Sequence, residues 1–167
     1  EHAGVPNRLN VRFHSRRGQF EAREQSVSLF TADGKPTWFV HPVHRHQVDV
    51  VAIPLSQAQG DQFYLAINKL SRELLSIQVG MDVFVIGFPF TPRAPWLPVW
   101  KRGSIASEPE MVGLADPYHL VDTASRPGMS GAPVVLRSYG THLTESGPSG
   151  TTAPATRFFG IYSGRCT

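Results

Sequence analysis

The sequence has almost no cysteine and no long apolar run. Cys166 is the only cysteine among 167 residues, so the chain cannot form an internal disulfide. No stretch approaches the roughly 18 consecutive apolar residues of a membrane-spanning helix, and no charged start followed by an apolar core marks a signal peptide. These absences argue against a membrane-spanning class and predict a soluble chain with no membrane partner.

Positive charge is present but is not concentrated. Lysine and arginine number 16 against 13 aspartates and glutamates, which gives a formal net charge of +3. Apart from Arg16-Arg17 and Lys101-Arg102 the basic residues are scattered, and no basic stripe alternates with aromatics as single-strand binding requires. The charge therefore predicts a solvated surface and no nucleic-acid partner.

The chain is rich in turn residues and short apolar bursts. Its 15 glycines and 14 prolines, with Val, Ile and Phe between them, predict an all-β fold of many short strands. The run at residues 48–55 is apolar enough for a central strand. Residues 56–78 have the best helix-forming composition in the chain and are interpreted as a connector. The Ser, Thr, Gly and Pro content of residues 138–156 predicts an exposed, mobile loop. Further strands are predicted at 9–13, 27–30, 38–40, 83–88, 99–107, 119–123, 132–136 and 157–164.

A serine lies between two glycines in Gly128-Met129-Ser130-Gly131, directly before an apolar run. A serine hydroxyl becomes a nucleophile only with a base, a carboxylate that holds the base, and amide donors for the oxyanion. A glycine before the serine lets its own N–H and the serine N–H point into one concavity. Taken alone, the tetrapeptide is weak evidence and favours a turn serine at the head of a strand.

Four blocks of the sequence, taken together and in order, give a more specific signal than the tetrapeptide. They are VDVVAIPL at 48–55, MDVFVIGFP at 81–89, KRGSIAS at 101–107 and TASRPGMSGAPVV at 123–135. Over about residues 9–165 the chain resembles the trypsin-like serine peptidases, in particular the bacterial trypsin-like peptidase domains of this family. The resemblance implies two packed, antiparallel, six-stranded β-barrels, an N-terminal barrel over 1–57, a connector over 58–78 and a C-terminal barrel over 79–167. We expect the chain to be truncated at both ends.

The resemblance also implies roles for individual residues. Ser130 matches the nucleophile, and the amides of Gly128 and Ser130 match the oxyanion hole. Asp49 matches the carboxylate that orients the catalytic histidine, and Ser163 matches the strand that pairs with the substrate backbone. The wall of the first specificity pocket then includes Ala124 and Ser125, and their lack of charge disfavours a strict preference for Lys or Arg.

Two positions depart from the family pattern. Met129 stands where the animal enzymes carry an aspartate that captures a newly cut N-terminus, so we expect Met129 to pack beneath the loop instead. The family's histidine lies upstream of the aspartate, and His2 is the candidate here. The alternative is that the catalytic histidine precedes Glu1.

The residues thus support two functions. The first is a serine endopeptidase that cuts a peptide or protein substrate through an acyl-enzyme, without a cofactor, in the bacterial cytoplasm or after export. The alternative is an inactive pseudo-peptidase that binds peptides or acts as a scaffold. His41, His44 and His46 suggest a metal, but a strand sends positions i and i+3 to opposite faces, so we predict a polar surface loop and no metal. The oligomeric state is left open.

Overall fold

The structure is a computed structural model that describes residues 5–16, 21–55, 60–69, 75–89, 97–114, 117–124 and 126–164. Within these residues the fold is all-β, which confirms the predicted class. The only helical segments there are single 3₁₀ turns at Ile67–Lys69 and Pro109–Met111, so none could cross a membrane. The first of these turns lies in the segment predicted to be a connector.

Ten strands form three antiparallel sheets in the described part of the chain. Their orders are β2-β1-β5, β10-β9-β6-β7-β8 and β3-β4. No closed barrel is formed by the described strands, so the structure shows the all-β class and not the two six-stranded barrels. The strands are β1 (Arg8–Ser15), β2 (Ala22–Ser28), β3 (Phe39–Val40), β4 (Val51–Ala52), β5 (Gln62–Phe63), β6 (Asp82–Gly87), β7 (Val99–Ile105), β8 (Val121–Asp122), β9 (Pro133–Thr144) and β10 (Gly147–Ile161).

The chain divides into two compact units. The first contains the described residues of Glu1–His46 and Val50–Leu65, and the second contains those of Gln47–Asp49, Ala66–Pro92 and Leu97–Thr167. Every buried apolar side chain in the described residues belongs to the second unit. The predicted boundaries at 1–57, 58–78 and 79–167 stay a prediction.

The first unit is organised around polar contacts. Its buried residues, within the described part, are Ser15 and Gln62. Asp61 accepts hydrogen bonds from Arg23 Nε at 3.1 Å and Nη2 at 3.0 Å, and from Ser15 Oγ at 2.9 Å. These contacts, led by those from Arg23, lower the pKa of the Asp61 carboxyl. They tie β2 to the turn that precedes β5, with β1 between them.

The second unit has an apolar core on one face of its five-stranded sheet. Val83 and Val85 alternate inward on β6, opposite Leu136 and Val134 of β9. The same core is completed from the loops and neighbouring strands by Leu75, Ile105, Met129 and Ala132. The period-two pattern of β6 therefore places this strand at the centre of the fold.

The predicted central strand at 48–55 is wrong in length and burial. Only Val51 and Ala52 form a strand there, and both are exposed. They pair with Phe39 and Val40 beyond a turn closed by the bridge between His41 and Arg45. Because the partner β3 is only two residues long, the rest of this apolar run has no strand to pair with.

The predicted mobile loop at 138–156 is also wrong. These residues form the distal halves of β9 and β10, paired from Ser138↔Ala155 to Thr144↔Gly147. The Ser, Thr and Gly content indicated a loop, but cross-strand pairing decides the conformation of such residues. The hairpin folds onto the segment before β6, where Ser76 N–H donates to Leu143 O at 2.9 Å.

Arg157 fixes this hairpin to the rest of the unit. Its Nη1 donates to the carbonyl oxygen of Leu75 and to Glu145 Oε1, and its side chain is 21% exposed against 55% for Glu145. We expect Arg157→Met to lower the free energy of unfolding by about 1–3 kcal/mol, because the Leu75 carbonyl loses its charged donor. Glu145→Gln removes only an exposed ion pair and should cost less than about 1 kcal/mol. Urea unfolding measures both values, and equal losses would contradict this assignment.

Candidate active site

Ser130 lies in a double turn that enters β9. Met129 N–H donates to Arg126 O at 3.3 Å, and Ala132 N–H donates to Met129 O at 3.0 Å. The chain can turn this sharply because Gly128 has φ +90° and Gly131 has φ +85°, in the left-handed region that favours glycine. The two glycines that flank the motif therefore have a conformational role.

The turn is fixed to the end of β10 by two backbone hydrogen bonds. Gly131 N–H donates to Tyr162 O at 2.8 Å, and Tyr162 N–H donates to Ala132 O at 2.9 Å. This pairing brings the segment after β10 alongside the serine. The sequence offered no signal for Tyr162 beyond its place directly before Ser163.

Met129 anchors the turn from below. Its side chain is only 1% exposed and packs in the core of the second unit, as predicted from the sequence. A Cβ on Gly87 would lie 3.1 Å from the Met129 sulfur and 2.9 Å from Ala132 Cβ, so the glycine provides the space that Met129 fills. Since Met129 points inward, the next side chain, Ser130, points into solvent.

Two backbone donors of the turn are unoccupied. The N–H groups of Met129 and Gly131 are used in the hydrogen bonds described above, whereas those of Gly128 and Ser130 donate to no group in the described part of the chain. Bonded and unbonded N–H groups therefore alternate along the turn, and the two unbonded ones lie beside the exposed hydroxyl of Ser130. Unpaired amides in this position can stabilise an anionic oxygen.

Ser163 is brought next to Ser130. Ser130 Oγ donates to Ser163 O at 3.4 Å, which is long for a hydroxyl donor and therefore weak. Gly164 follows with φ +142°, and a Cβ there would stand 3.9 Å from Ser130 Oγ. The hydroxyl is thus loosely held, with open space beside it.

Asp49 and Ala124 are the predicted site residues outside the serine turn and the Ser163 segment that the structure describes. Asp49 is exposed two residues before β4, belongs to the same compact unit as Ser130, and has no hydrogen bond or ion pair within the described residues. Ala124 is exposed after Thr123, whose Oγ1 donates to Arg102 O at 3.0 Å. His2 and Ser125 lie outside the described residues.

A crevice lies behind the serine turn. It is lined by Val85, Lys101, Thr123, Met129 and Tyr162. Lys101 is the only charged residue of this lining, and it is half-buried between exposed neighbours on β7. Sequence reasoning did not single out Lys101, although alternation along β7 gives it the same face as Ile105.

The histidines of the described residues serve other contacts. His41 Nδ1 accepts the N–H groups of Val43 at 3.3 Å and His44 at 3.0 Å, so the loop 41–46 uses this nitrogen to hold its own turn. No group of three metal-ligating side chains occurs within the described ranges. The one hydrogen bond of Ser130 Oγ there is to Ser163, so no described imidazole contacts the serine.

His119 is the histidine most affected by the fold. Its ring lies 4.7 Å from that of Phe159, and its Nδ1 is buried with no hydrogen-bond partner in the described residues. Burial disfavours the imidazolium and lowers the pKa of His119. The ring therefore acts as a neutral packing element of the second unit.

Comparisons of the chain with known protein families, with curated proteins and with solved structures find no match. The class that the structure itself defines is an all-β protein with antiparallel sheets.

The two glycines of the motif allow a matched test of the turn. Alanine at either position adopts a strained left-handed conformation, which costs about 1–2 kcal/mol. At Gly131 the new Cβ meets nothing within 4 Å, whereas at Gly128 it would stand 2.8 Å from Phe88 O. We expect Gly128→Ala to lower the free energy of unfolding by at least about 1 kcal/mol more than Gly131→Ala, as judged by urea unfolding. The same loss in both variants would argue against this geometry.

His119 should make the second unit sensitive to mild acid. Its pKa is lowered on folding, so below about pH 6.5 the unfolded chain takes up a proton that the folded chain resists. Stability is therefore expected to fall as the pH drops from about 6.5 towards the folded-state pKa, and to be unaffected by this group above that range. His119→Phe keeps the ring contact and should remove the fall, while the exposed control His46→Gln should retain it. The measurement is the free energy of unfolding across this pH range. A fall in His119→Phe equal to that of the unmodified protein would contradict the role assigned to His119.

Proposed function

We propose that this chain is a serine endopeptidase that cleaves peptide bonds through an acyl-enzyme formed on Ser130. The observation that carries the proposal is the serine turn itself. An exposed hydroxyl is presented beside the N–H groups of Gly128 and Ser130, which have no acceptor in the described part of the chain, and the side chain of the intervening Met129 is buried. These are the parts that acyl transfer needs at the nucleophile.

The proposed reaction assigns a step to each part. Ser130 Oγ attacks the scissile carbonyl carbon as an imidazole takes its proton, and the oxyanion that forms accepts hydrogen bonds from Gly128 N–H and Ser130 N–H. The tetrahedral adduct collapses when the imidazole returns the proton to the leaving amine. Water then attacks the ester by the same route and frees the acid and the serine.

The proton acceptor is assigned to an imidazole oriented by Asp49. Support comes from the Asp49 carboxylate, which is exposed, has no partner among the described residues and lies in the same compact unit as Ser130. His2 and a histidine upstream of Glu1 stay the two candidates for the base.

Substrate contacts belong to the same proposal. The Ser163 segment would pair with the substrate backbone, since its carbonyl already lies beside Ser130 Oγ. Ala124 and Ser125 would line the first specificity pocket without charge. The two-barrel architecture is part of this proposal too, and the antiparallel all-β fold with its two compact units supports it.

One observation favours a second candidate, a peptide-binding pseudo-peptidase. Within the described residues Ser130 Oγ donates to the Ser163 carbonyl and contacts no imidazole. A protein of this kind would bind extended peptides at the Ser163 segment without turnover. It shares the fold and the turn and differs only in the absence of a functioning base.

Active-site labelling separates the two candidates. We expect a fluorophosphonate probe to modify the folded chain at Ser130, as located by peptide mass spectrometry, and Ser130→Ala to abolish the labelling. Asp49→Asn should slow labelling by about a hundredfold or more, because the imidazole loses its orienting carboxylate.

The matched control is Ser163→Ala, which removes a neighbouring hydroxyl but keeps the backbone carbonyl and should label normally. Labelling that is absent from the intact, full-length protein, or equally fast after denaturation, would rule out the endopeptidase and favour the peptide-binding candidate.

A further inference from the structure

We propose that the outer face of the five-stranded sheet binds an acidic peptide segment through Arg137 and the aromatic side chains around it. This inference is independent of the function proposed for Ser130. The binding surface, called here the outer aromatic face, consists of Phe84 on β6, Trp100 on β7, and Arg137 and Tyr139 on β9.

The alternation of the strands places these side chains opposite the core. Val134 and Leu136 of β9 belong to the core cluster, so Val135, Arg137 and Tyr139 point to the other side. Phe84 pairs directly with Val135, which is 1% exposed although it lies outside that cluster. The outer aromatic face therefore has its own buried floor, with larger side chains above it.

The aromatic side chains are packed on one another and yet exposed. Trp100 lies edge-on to Phe84 with 5.9 Å between ring centroids, and it is 49% exposed. Tyr139 is 65% exposed. Trp100 lies on the outward face of β7. Exposed tryptophan and tyrosine beside arginine are the residue types that contribute most to binding energy in protein interfaces.

Arg137 supplies the charge of this face. Its Cζ lies 5.9 Å from the centroid of the Trp100 ring and 5.3 Å from that of Tyr139. Its Nε is buried without a hydrogen-bond partner, and no carboxylate pairs with it among the described residues. With the planar surface of the guanidinium in contact with rings, its edge retains N–H donors that match a carboxylate.

The acidic residue beside Arg137 in the strand register is paired with another cation. Asp82 of β6 accepts hydrogen bonds from Arg102 Nε at 3.0 Å and Nη2 at 2.7 Å. Asp122 lies on the same face, at the β8 edge opposite Ser104. Arg137 is the arginine of this face that has no carboxylate partner among the described residues. A single cation among aromatics suits a segment with one or two carboxylates and apolar neighbours. A nucleic-acid strand would need several cations along its phosphates, so an acidic peptide is the better match.

Nuclear magnetic resonance of the full chain tests this site. The protein carries Ser130→Ala so that the probe cannot be cleaved, and the probe is a short peptide with glutamate on either side of a central phenylalanine. At millimolar peptide we expect shifts of the Trp100 indole N–H and the Arg137 Nε–H resonances, assigned with Trp100→Phe and Arg137→Gln. The glutamine version of the peptide should bind about tenfold more weakly, because it lacks the charge-assisted hydrogen bonds.

Variants of the protein distinguish recognition of the glutamate charge from non-specific apolar binding. Arg137→Gln should remove the preference for glutamate, whereas the double variant Asp82→Asn with Arg102→Gln, which removes the neighbouring ion pair without changing the net charge, should retain it. Equal response to both peptides, a preference that survives Arg137→Gln, no shift at millimolar peptide, or shifts caused only by an oligothymidylate would each overturn the proposal.

Discussion

The packing of Met129 against Gly87 is the contact on which the serine turn depends. Gly87 ends β6, the central strand of the five-stranded sheet, and the missing Cβ leaves the space that the methionine sulfur occupies. Burial of this side chain decides which way the turn faces. Burial of Met129 thereby leaves Ser130 exposed beside two N–H groups that have no acceptor among the described residues. The geometry of the proposed nucleophile is therefore as rigid as the packing of the core.

The two compact units are stabilised by different physical means. The second has an apolar core, whereas the described part of the first depends on Asp61 and its hydrogen bonds from Arg23 and Ser15. A lowered carboxyl pKa stabilises the fold above the unfolded-state value and loses that contribution as the pH falls through the folded-state value. Acid therefore weakens the first unit through Asp61 at a lower pH than it weakens the second through His119.

Local pattern predicted those features that neighbouring residues determine. The apolar bursts at 9–13 and 83–88 predicted β1 and β6, and the glycines of the motif indicated a sharp turn. Local pattern gave a wrong prediction for 138–156, because pairing of β9 with β10 outweighs a loop-like composition. It was also wrong for 48–55, because the length of β4 is limited by its two-residue partner β3. The approach of Tyr162 to Gly131 involves residues distant in the chain, for which local periodicity carries no signal.

One register serves both faces of the central sheet. On β6, Val83 and Val85 point into the core that contains Met129, while Phe84 between them belongs to the outer aromatic face. A shift of one residue would exchange these side chains and disrupt both surfaces together. Substitutions at Ser130 and at Arg137 leave the register intact, so they report on side-chain chemistry at two separate places. A variant that loses both properties at once therefore indicates a changed strand register, and one that loses a single property indicates a changed site.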